Sequence, residues 1–403
     1  MQTEQLSEID QTDKNDSASA KPRILFLIDE IGGITEGGTE RQVLQLIQLA
    51  LRLGYEPHLA VLRGTEWLDQ DQAGCPVYLA HADSLVHLSG WKGCLGLVRW
   101  MRRQRIALVQ TFFTECNILG PWLARLAGVP VVIGSRRNLS QWQGRTSWLQ
   151  PVMRQMQRLS NLSADCIVSN SQVVAEAMGS MERLPRHKRR VAYNGIDLTK
   201  FSGLTQQRSH ARQMLGIGQD EILVGNISCM RFVKGLHRFV DVAQIVREKD
   251  PALRFLIVGD GPERAGITDR IRAHGLEDRI HLAGAQTDVF PYLAAMDIGV
   301  LSSRAEGFSN SLLEYMASAL PAIATDVGGN REALEDTGIL VPPDDPAALA
   351  EAILRLRSLS LRKELGAAAR RRAELFSLER AEERMQQIYG ELLSSKGILQ
   401  EKN

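Results

Sequence analysis

Cysteine is scarce: five in 403 residues (Cys75, Cys94, Cys116, Cys166 and Cys229), odd in number, scattered, with no Cys-x-x-Cys. That pattern excludes a disulfide scaffold or a zinc ribbon and fits free thiols in a reducing compartment. Excess charge is missing too, with 48 basic against 47 acidic residues. Bulk electrostatics therefore offers no case for a nucleic-acid partner. No uncharged apolar run approaches the ~18 residues of a spanning helix. Residues 1–20 are polar and acidic without an apolar core, so they are neither a signal peptide nor an anchor and are expected to be a disordered leader. The expectation is a soluble cytoplasmic protein with room for peripheral contact at the inner face of the cell membrane. Two nucleotide signatures are also absent, since no Gly-x-Gly-x-x-Gly is present and no Walker lysine follows a glycine loop. The eight histidines show no metal spacing.

What is present is an α/β pattern. The chain is 44% hydrophobic with 34 glycines and 5% aromatic residues, which suits two α/β domains each able to bury a core. Strand-like runs fall at 23–28, 56–62, 77–79, 106–111, 129–134, 165–170 and 190–192, and again at 222–227, 253–258, 279–282, 297–301, 322–325 and 339–341. Helical patterns separate many of them, which predicts mostly parallel sheets with helices on both faces. The pattern weakens over 196–218, the expected linker between a first domain at 21–195 and a second at 219–376. A last helix is expected within 377–396.

Glycine loops recur where strands end and helices begin. Gly32-Gly33 and Gly37-Gly38 precede a helix from about Thr39, in which Val43, Leu44, Ile47, Ala50 and Leu51 recur at helical spacing and Arg41 falls on the polar side. Glycine lets a backbone approach a ligand, and a helix N-terminus attracts phosphate. In the second half, Gly259-Asp260-Gly261, Gly284 and Gly328-Gly329 mark similar turns, while Arg231 and Lys234 follow the strand at 222–227. An arginine fork and a lysine point charge both suit a diphosphate.

The stretch from Ser302 to Glu314 gathers these signals. A buried strand leads into Glu306-Gly307-Phe308, with Ser309 or Asn310 as N-cap of a helix carrying Glu314. Two carboxylates flanking a phosphate-attracting helix start are poor company for a diphosphate, so accepting hydrogen bonds from sugar hydroxyls is their better task.

In this set the chain resembles the retaining glycosyltransferases of the family-4 type (glycosyl transferases group 1). The resemblance covers nearly everything after residue 20 and rests on Gly37-Gly38-Thr39-Glu40, Asn194-Gly195-Ile196-Asp197, Arg231 with Lys234, Glu306-x7-Glu314 and Gly338-Ile-Leu-Val-Pro-Pro343. It implies the GT-B architecture, two Rossmann-like doubly wound domains facing a cleft, with the last helix crossing back to the first. It implies catalytic roles for Glu306, Arg231 and Lys234. Donor contacts are implied for Gly37, Gly38, Gly307, Phe308, Ser309, Asn310 and Glu314, with the Gly259 and Gly284 turns beside them. The partners would be a nucleotide-sugar donor, most often a UDP-sugar, and a saccharide or lipid-linked saccharide acceptor. Transfer of a hexosyl or N-acetylhexosaminyl group with retention would need no cofactor, no metal and no enzyme nucleophile. Asp69-Gln70-Asp71 is an Asp-x-Asp string in the wrong domain.

The first domain departs from the family pattern. Histidines are common there after the strand that here ends Thr111-Phe112-Phe113 and after the next one, where this chain has Ser135-Arg136-Arg137-Asn138. Arg136 and Arg137 are acceptor or phosphate ligands on one reading and solvated cations on the other. Trp91, Cys94, Leu95, Val98 and Met101 share a helical face beside Lys92, Arg99, Arg102 and Arg103, and Trp142 and Trp148 flank Arg145. Such stretches suit an anionic membrane or an ordinary packed helix with a charged outer side. Two other function classes stay open: a nucleotide-sugar epimerase or hydrolase on the same fold, and a non-catalytic nucleotide-sugar-binding protein.

Overall fold

The apolar run Arg23–Ile28 forms a central strand whose last five residues are buried, as a strand covered by helices on both faces requires. It belongs to a computed structural model that describes residues 21–30, 38–63, 73–82, 88–139 and 150–399. Gly37, Asp69, Asp71, Trp142, Arg145, Trp148 and the expected leader lie outside those residues.

The first sheet contains β1 (Arg23–Ile28), β2 (Glu56–Val61), β3 (Val77–Leu79), β4 (Leu108–Thr111), β5 (Val131–Arg136), β6 (Cys166–Ser169) and β7 (Arg189–Val191). All pairings are parallel, in the order β3-β2-β1-β4-β5-β6-β7. Its helices are α1 (Gly38–Arg52), α2 (Leu88–Arg103), α3 (Thr114–Leu126), α4 (Gln150–Ser163) and α5 (Gln172–Met181). The strand order reverses between β1 and β4, which opens a crevice at their carboxyl ends.

The second sheet repeats the plan with β8 (Ile222–Ile227), β9 (Leu253–Val258), β10 (Ile280–Gly284), β11 (Ile298–Leu301), β12 (Ala322–Thr325) and β13 (Ile339–Val341). The order is β10-β9-β8-β11-β12-β13, again parallel, with its reversal between β8 and β11. Around it lie α6 (Leu204–Met214), α7 (Leu236–Arg247), α8 (Arg264–Ala273), α9 (Phe290–Ala295), α10 (Asn310–Ala317), α11 (Asn330–Leu334), α12 (Pro346–Arg355) and α13 (Leu359–Ala373).

The final helix, α14 (Leu378–Ser395), returns to the first domain and buries Met385, Ile388, Tyr389 and Leu393 in its core. Tyr389 Oη donates to Gln110 Oε1 of β4, and Arg384 Nε donates to the Val191 carbonyl at 3.1 Å. The two chain crossings between domains run side by side, with Ile196 N donating to Phe376 O and Leu378 N to Ile196 O, at 3.0 and 2.9 Å. Gly195 is needed at this crossing, because a Cβ there would sit 2.7 Å from the Ala381 Cβ and 2.9 Å from the Leu378 Cα.

Two sequence expectations change. Residues 196–218 carry α6 rather than a plain linker. That helix is sparse in apolar residues and is anchored by arginines, Arg208 and Arg212 reaching opposite oxygens of Asp297 at 2.7 and 2.9 Å. The face of α2 also divides. Cys94, Leu97, Val98 and Met101 are buried, whereas Trp91 (49% exposed) and Leu95 (46%) stand outside with Lys92, Arg99, Arg102 and Arg103.

Candidate active site

The second domain supplies most of the charged groups. Past the end of β8, the chain turns through a short 3-10 segment, Phe232–Lys234, before α7. Lys234 Nζ reaches Glu306 Oε1 at 2.7 Å, and Ser303 Oγ donates to the same oxygen at 2.6 Å. Glu306 is only 8% exposed, so this ion pair and hydroxyl offset the cost of removing its charge from water. Arg231, on the same turn, is exposed, and among the described residues its guanidinium has no partner. Phe232 beside it is exposed, with the Arg304 guanidinium 4.4 Å above its ring.

The 302–309 loop leaves β11 and enters α10, whose N-terminus is capped by Ser309 Oγ accepting from Leu312 N at 3.4 Å. Glu314 lies one turn further on. Burial pushes its carboxyl up to about 7, opposed by Arg41 of α1, whose Nη1 stands 3.5 Å from Glu314 Oε1. The glycine turns after β9 and β10 touch each other, Gly259 N donating to Gly284 O at 2.8 Å, and Gly259 backs onto the Ser228 carbonyl.

The first domain meets this loop directly. Gly38 opens α1, and Asn310 Nδ2 lies 3.5 Å from its carbonyl. Asn194 Nδ2 donates to Phe308 O and Asn310 Oδ1, at 2.9 and 2.7 Å, and Ser171 Oγ donates to Gly307 O at 3.1 Å. A Cβ on Gly307 would fall 1.9 Å from the Arg137 carbonyl, so glycine permits the closest approach of the two domains. Phe308 packs against Tyr193 and Phe376, with ring centroids 5.0 and 5.1 Å away. Glu332 of α11 accepts from Gln172 N and Val173 N at 2.8 and 2.6 Å and from Tyr193 Oη at 3.1 Å. A carboxylate of one domain thus sits on the positive end of a helix in the other. That neighbour and burial together push the Tyr193 phenol up to about 12, burial being the larger cause.

At the β1/β4 reversal, Asp29 accepts from Glu115 N and Cys116 N at 3.0 and 2.6 Å and so fastens α3. Burial raises the Asp29 pKa, although both amides pull it down. Phe113 stands there with φ 62° and ψ 179°, a backbone region costly for a side-chain-bearing residue.

Arg136 is a correction. It was expected in a loop at the acceptor end, but β5 runs through it and its side chain is fully buried. Its guanidinium meets the Glu182 carboxylate at 2.8–3.1 Å and donates to Asn161 Oδ1 at 2.9 Å. It is neither solvated nor within reach of a ligand. Arg137 is different, since its side-chain hydrogen bond goes to the neutral Asn194, and burial lowers its pKa to about 10. It lines a small cavity between α1 and α14 with Gln45, Gln110 and Glu382.

Arg41, Ser303, Tyr193 and Glu332 were not singled out from sequence. Arg41 read as an outward residue of an amphipathic helix, and Glu332 follows a glycine turn that carried the only local signal. Their partners lie on remote segments.

Two doubly wound domains, with cations, carboxylates and glycine turns around the β8/β11 reversal, define a protein of GT-B architecture. The chain matches the family model described as glycosyl transferases group 1 over residues 220–358 and that of the glycosyl transferase 4-like domain over residues 37–195. It is 30% identical over 319 residues to alpha-D-kanosaminyltransferase of Streptomyces kanamyceticus, covering 74% of this chain and 81% of that protein. It is 34% identical over 214 residues to N-acetyl-alpha-D-glucosaminyl L-malate synthase of Bacillus anthracis, 52% and 55% of the two chains. Among solved structures, Anabaena Alr3699/HepE in complex with UDP superposes with a TM-score of 0.77 at 20% identity, covering 92% of this chain and all of that one. Sucrose-phosphate synthase from Thermosynechococcus elongatus superposes with a TM-score of 0.78 at 24% identity, over 93% and 100%. The chain belongs to the group 1 glycosyltransferases.

Proposed function

We propose that this protein transfers a hexosyl or N-acetylhexosaminyl group from a UDP-sugar to a saccharide or lipid-linked saccharide, with retention at the anomeric carbon. The observation that carries the reading is the Lys234–Glu306 pair on the same turn as Arg231, whose guanidinium is unpartnered among the described residues, with Glu314 one helix turn past the 302–309 loop. The second domain holds the donor and the first the acceptor. Arg231 and Lys234 bind the diphosphate, Glu314 accepts from the ribose hydroxyls, and Glu306 accepts from a hydroxyl of the sugar in transit. Gly38 and the Gly307–Asn310 segment close over the phosphates, with the Gly259 and Gly284 turns at the base end.

The bond from the anomeric carbon to the diphosphate oxygen breaks, and its electron pair leaves with the nucleotide. The acceptor hydroxyl bonds to that carbon on the same face and gives its proton to the departing phosphate oxygen. The two cations stabilise the charge building there, a contribution whose removal typically costs ~10²–10³ in rate. No enzyme nucleophile enters this scheme, and the charge is met by side chains rather than a metal. UDP complexes of a structural neighbour support the donor nucleotide. The Escherichia coli relative named UDP-Gal:alpha-D-GlcNAc-diphosphoundecaprenol alpha-1,3-galactosyltransferase, 23% identical over 270 residues, supports a lipid-linked acceptor.

A peripheral membrane role rests on the outer side of α2. Trp91 and Leu95 stand there among Lys92, Arg99, Arg102 and Arg103, a composition suited to anionic phospholipid. Among the described residues no helix is long and apolar enough to cross a membrane. Arg137, with its neutral partner, is the acceptor-side cation. A thermal-shift screen of nucleotide sugars tests the donor assignment, since a ligand of the folded state raises its stability. NMR of the product's anomeric proton then tests retention, and co-sedimentation with anionic vesicles at low salt tests docking. Absence of any UDP-sugar shift would remove the donor assignment.

A further inference from the structure

The first domain reaches into the donor side of the cleft with a charged side chain. Arg41 lies on α1 just past Gly38, and its guanidinium stands 3.5 Å from the Glu314 carboxylate of α10. The approach is fixed from both sides, because Asn310 at the start of α10 lies against the Gly38 carbonyl. Glu314 is poorly solvated, with 15% of its side chain exposed, and an isolated carboxylate in such a place favours its neutral form. A protonated carboxyl has lost its charge and much of its power to accept from vicinal hydroxyls.

The other charged or titratable groups nearby do not do this work. Tyr315, the next residue, is buried; its Oη accepts from Ile227 N of β8 at 2.7 Å and donates toward Val300 O, 3.5 Å away. Lys234 on the turn between β8 and α7 and Glu306 in the loop before α10 neutralise each other. Arg41 is the only cation acting on Glu314 among the described residues.

We propose that Arg41 is a positioning residue for the donor: it holds Glu314 ionised across the closed cleft so that the carboxylate can accept from the nucleotide's ribose. This rests on the donor reading above and adds a link between the two domains that forms at the ribose rather than at the phosphates. Donor affinity then depends on pH through Glu314, whose carboxyl sits near 7 with Arg41 in place.

The test is calorimetric binding of UDP-glucose, whose diphosphate diester has no ionisation near neutrality, from pH 6 to 9. Wild type is expected to bind more weakly as pH falls through about 7. Losing an opposite charge raises a carboxyl by ~1 pH unit or more. In Arg41→Gln the acidic limb therefore moves up by that amount, with about fivefold weaker binding at pH 7 and nearly none of that loss at pH 9. Arg41→Lys returns the limb toward the wild-type position, and Glu314→Gln abolishes it. A limb unmoved in Arg41→Gln, or an equal loss at every pH, overturns the inference while leaving the donor reading intact. A limb that survives in Glu314→Gln overturns it too. Wild type that ignores UDP-glucose at every pH and shows no thermal shift with any other UDP-sugar, with all variants folded by circular dichroism, defeats the donor reading and the inference together.

Discussion

Lys234 Nζ and Glu306 Oε1 stand 2.7 Å apart, which places the phosphate-side cation and the sugar-side carboxylate of the proposed site in one ion pair. Each holds the other in place. Glu306 keeps the Ser303 hydroxyl as a second partner, whereas Lys234 has the exposed Arg231 on its own turn.

The pair predicts unequal consequences. Lys234→Ala should lower kcat by ~10²–10³ with a smaller change in donor KM, since its charge matters most as the nucleotide departs. Glu306→Gln keeps a side chain able to bond Ser303 and should cost less in stability than Glu306→Ala. The double variant should fall well short of the product of the single losses, because each single change leaves a stranded partner. Steady-state kinetics on the three variants decides this, and fully multiplicative losses would mean that the two residues act independently.

Glu332 predicts a conformational effect. Its carboxylate caps the N-terminus of α5 in the other domain and accepts from Tyr193 Oη. Losing a helix cap costs ~0.5–2 kcal/mol, enough to shift a two-state domain equilibrium several-fold toward open. Glu332→Ala should enlarge the radius of gyration in solution scattering, with a lesser effect for Tyr193→Phe. Saturating donor should restore the wild-type value. Identical scattering from wild type and Glu332→Ala would refute the latch.

Arg136 and Arg137 are adjacent in sequence and should behave oppositely. Arg136→Ala removes the guanidinium that pairs with the fully buried Glu182 and should cost ~3–5 kcal/mol in urea unfolding of the first domain, with activity per folded molecule kept. Arg137→Ala should cost less stability and raise acceptor KM, because among the described residues that guanidinium bonds the neutral Asn194 rather than a carboxylate.

How far these features could be read in advance depended on how local they are. β8 (Ile222–Ile227), β9 (Leu253–Val258) and β12 (Ala322–Thr325) match the expected runs residue for residue, because short apolar-rich segments set between helical patterns leave few alternatives. Leu378 likewise opens the last helix as expected. The helix at 204–214 escaped because its buried side includes Arg212, a charge that only the remote Asp297 makes tolerable. Arg136 looked like a loop residue for the same reason, its partner Glu182 being 46 positions away. The resemblance singled out Arg231, Lys234, Glu306 and Glu314, of which the structure pairs Lys234 with Glu306. Contacts such as Arg41–Glu314 and Glu332–Val173 arise only when the domains meet, and neither segment carries a local sign of the other.

Glu314 sets stability against function, and pH exposes the conflict. Its carboxyl rises from 4.5 to about 7 on folding, burial outweighing Arg41. Below about 4.5 both folded and unfolded chains hold the proton, and this group gives no penalty. As pH climbs to about 7 the unfolded chain releases it first, so the folded state loses relative stability across that window and stays lower above it. The ceiling is ~3 kcal/mol, brought toward ~1–2 by the solvent that still reaches the side chain. Glu314→Gln should therefore gain stability over wild type as pH goes from 5 to 8 while losing affinity for UDP-sugars. Urea midpoints of the second domain at the two pH values measure the first effect and calorimetry the second. A Glu314→Gln midpoint that tracked wild type at both pH values would show that the buried carboxyl carries no such strain.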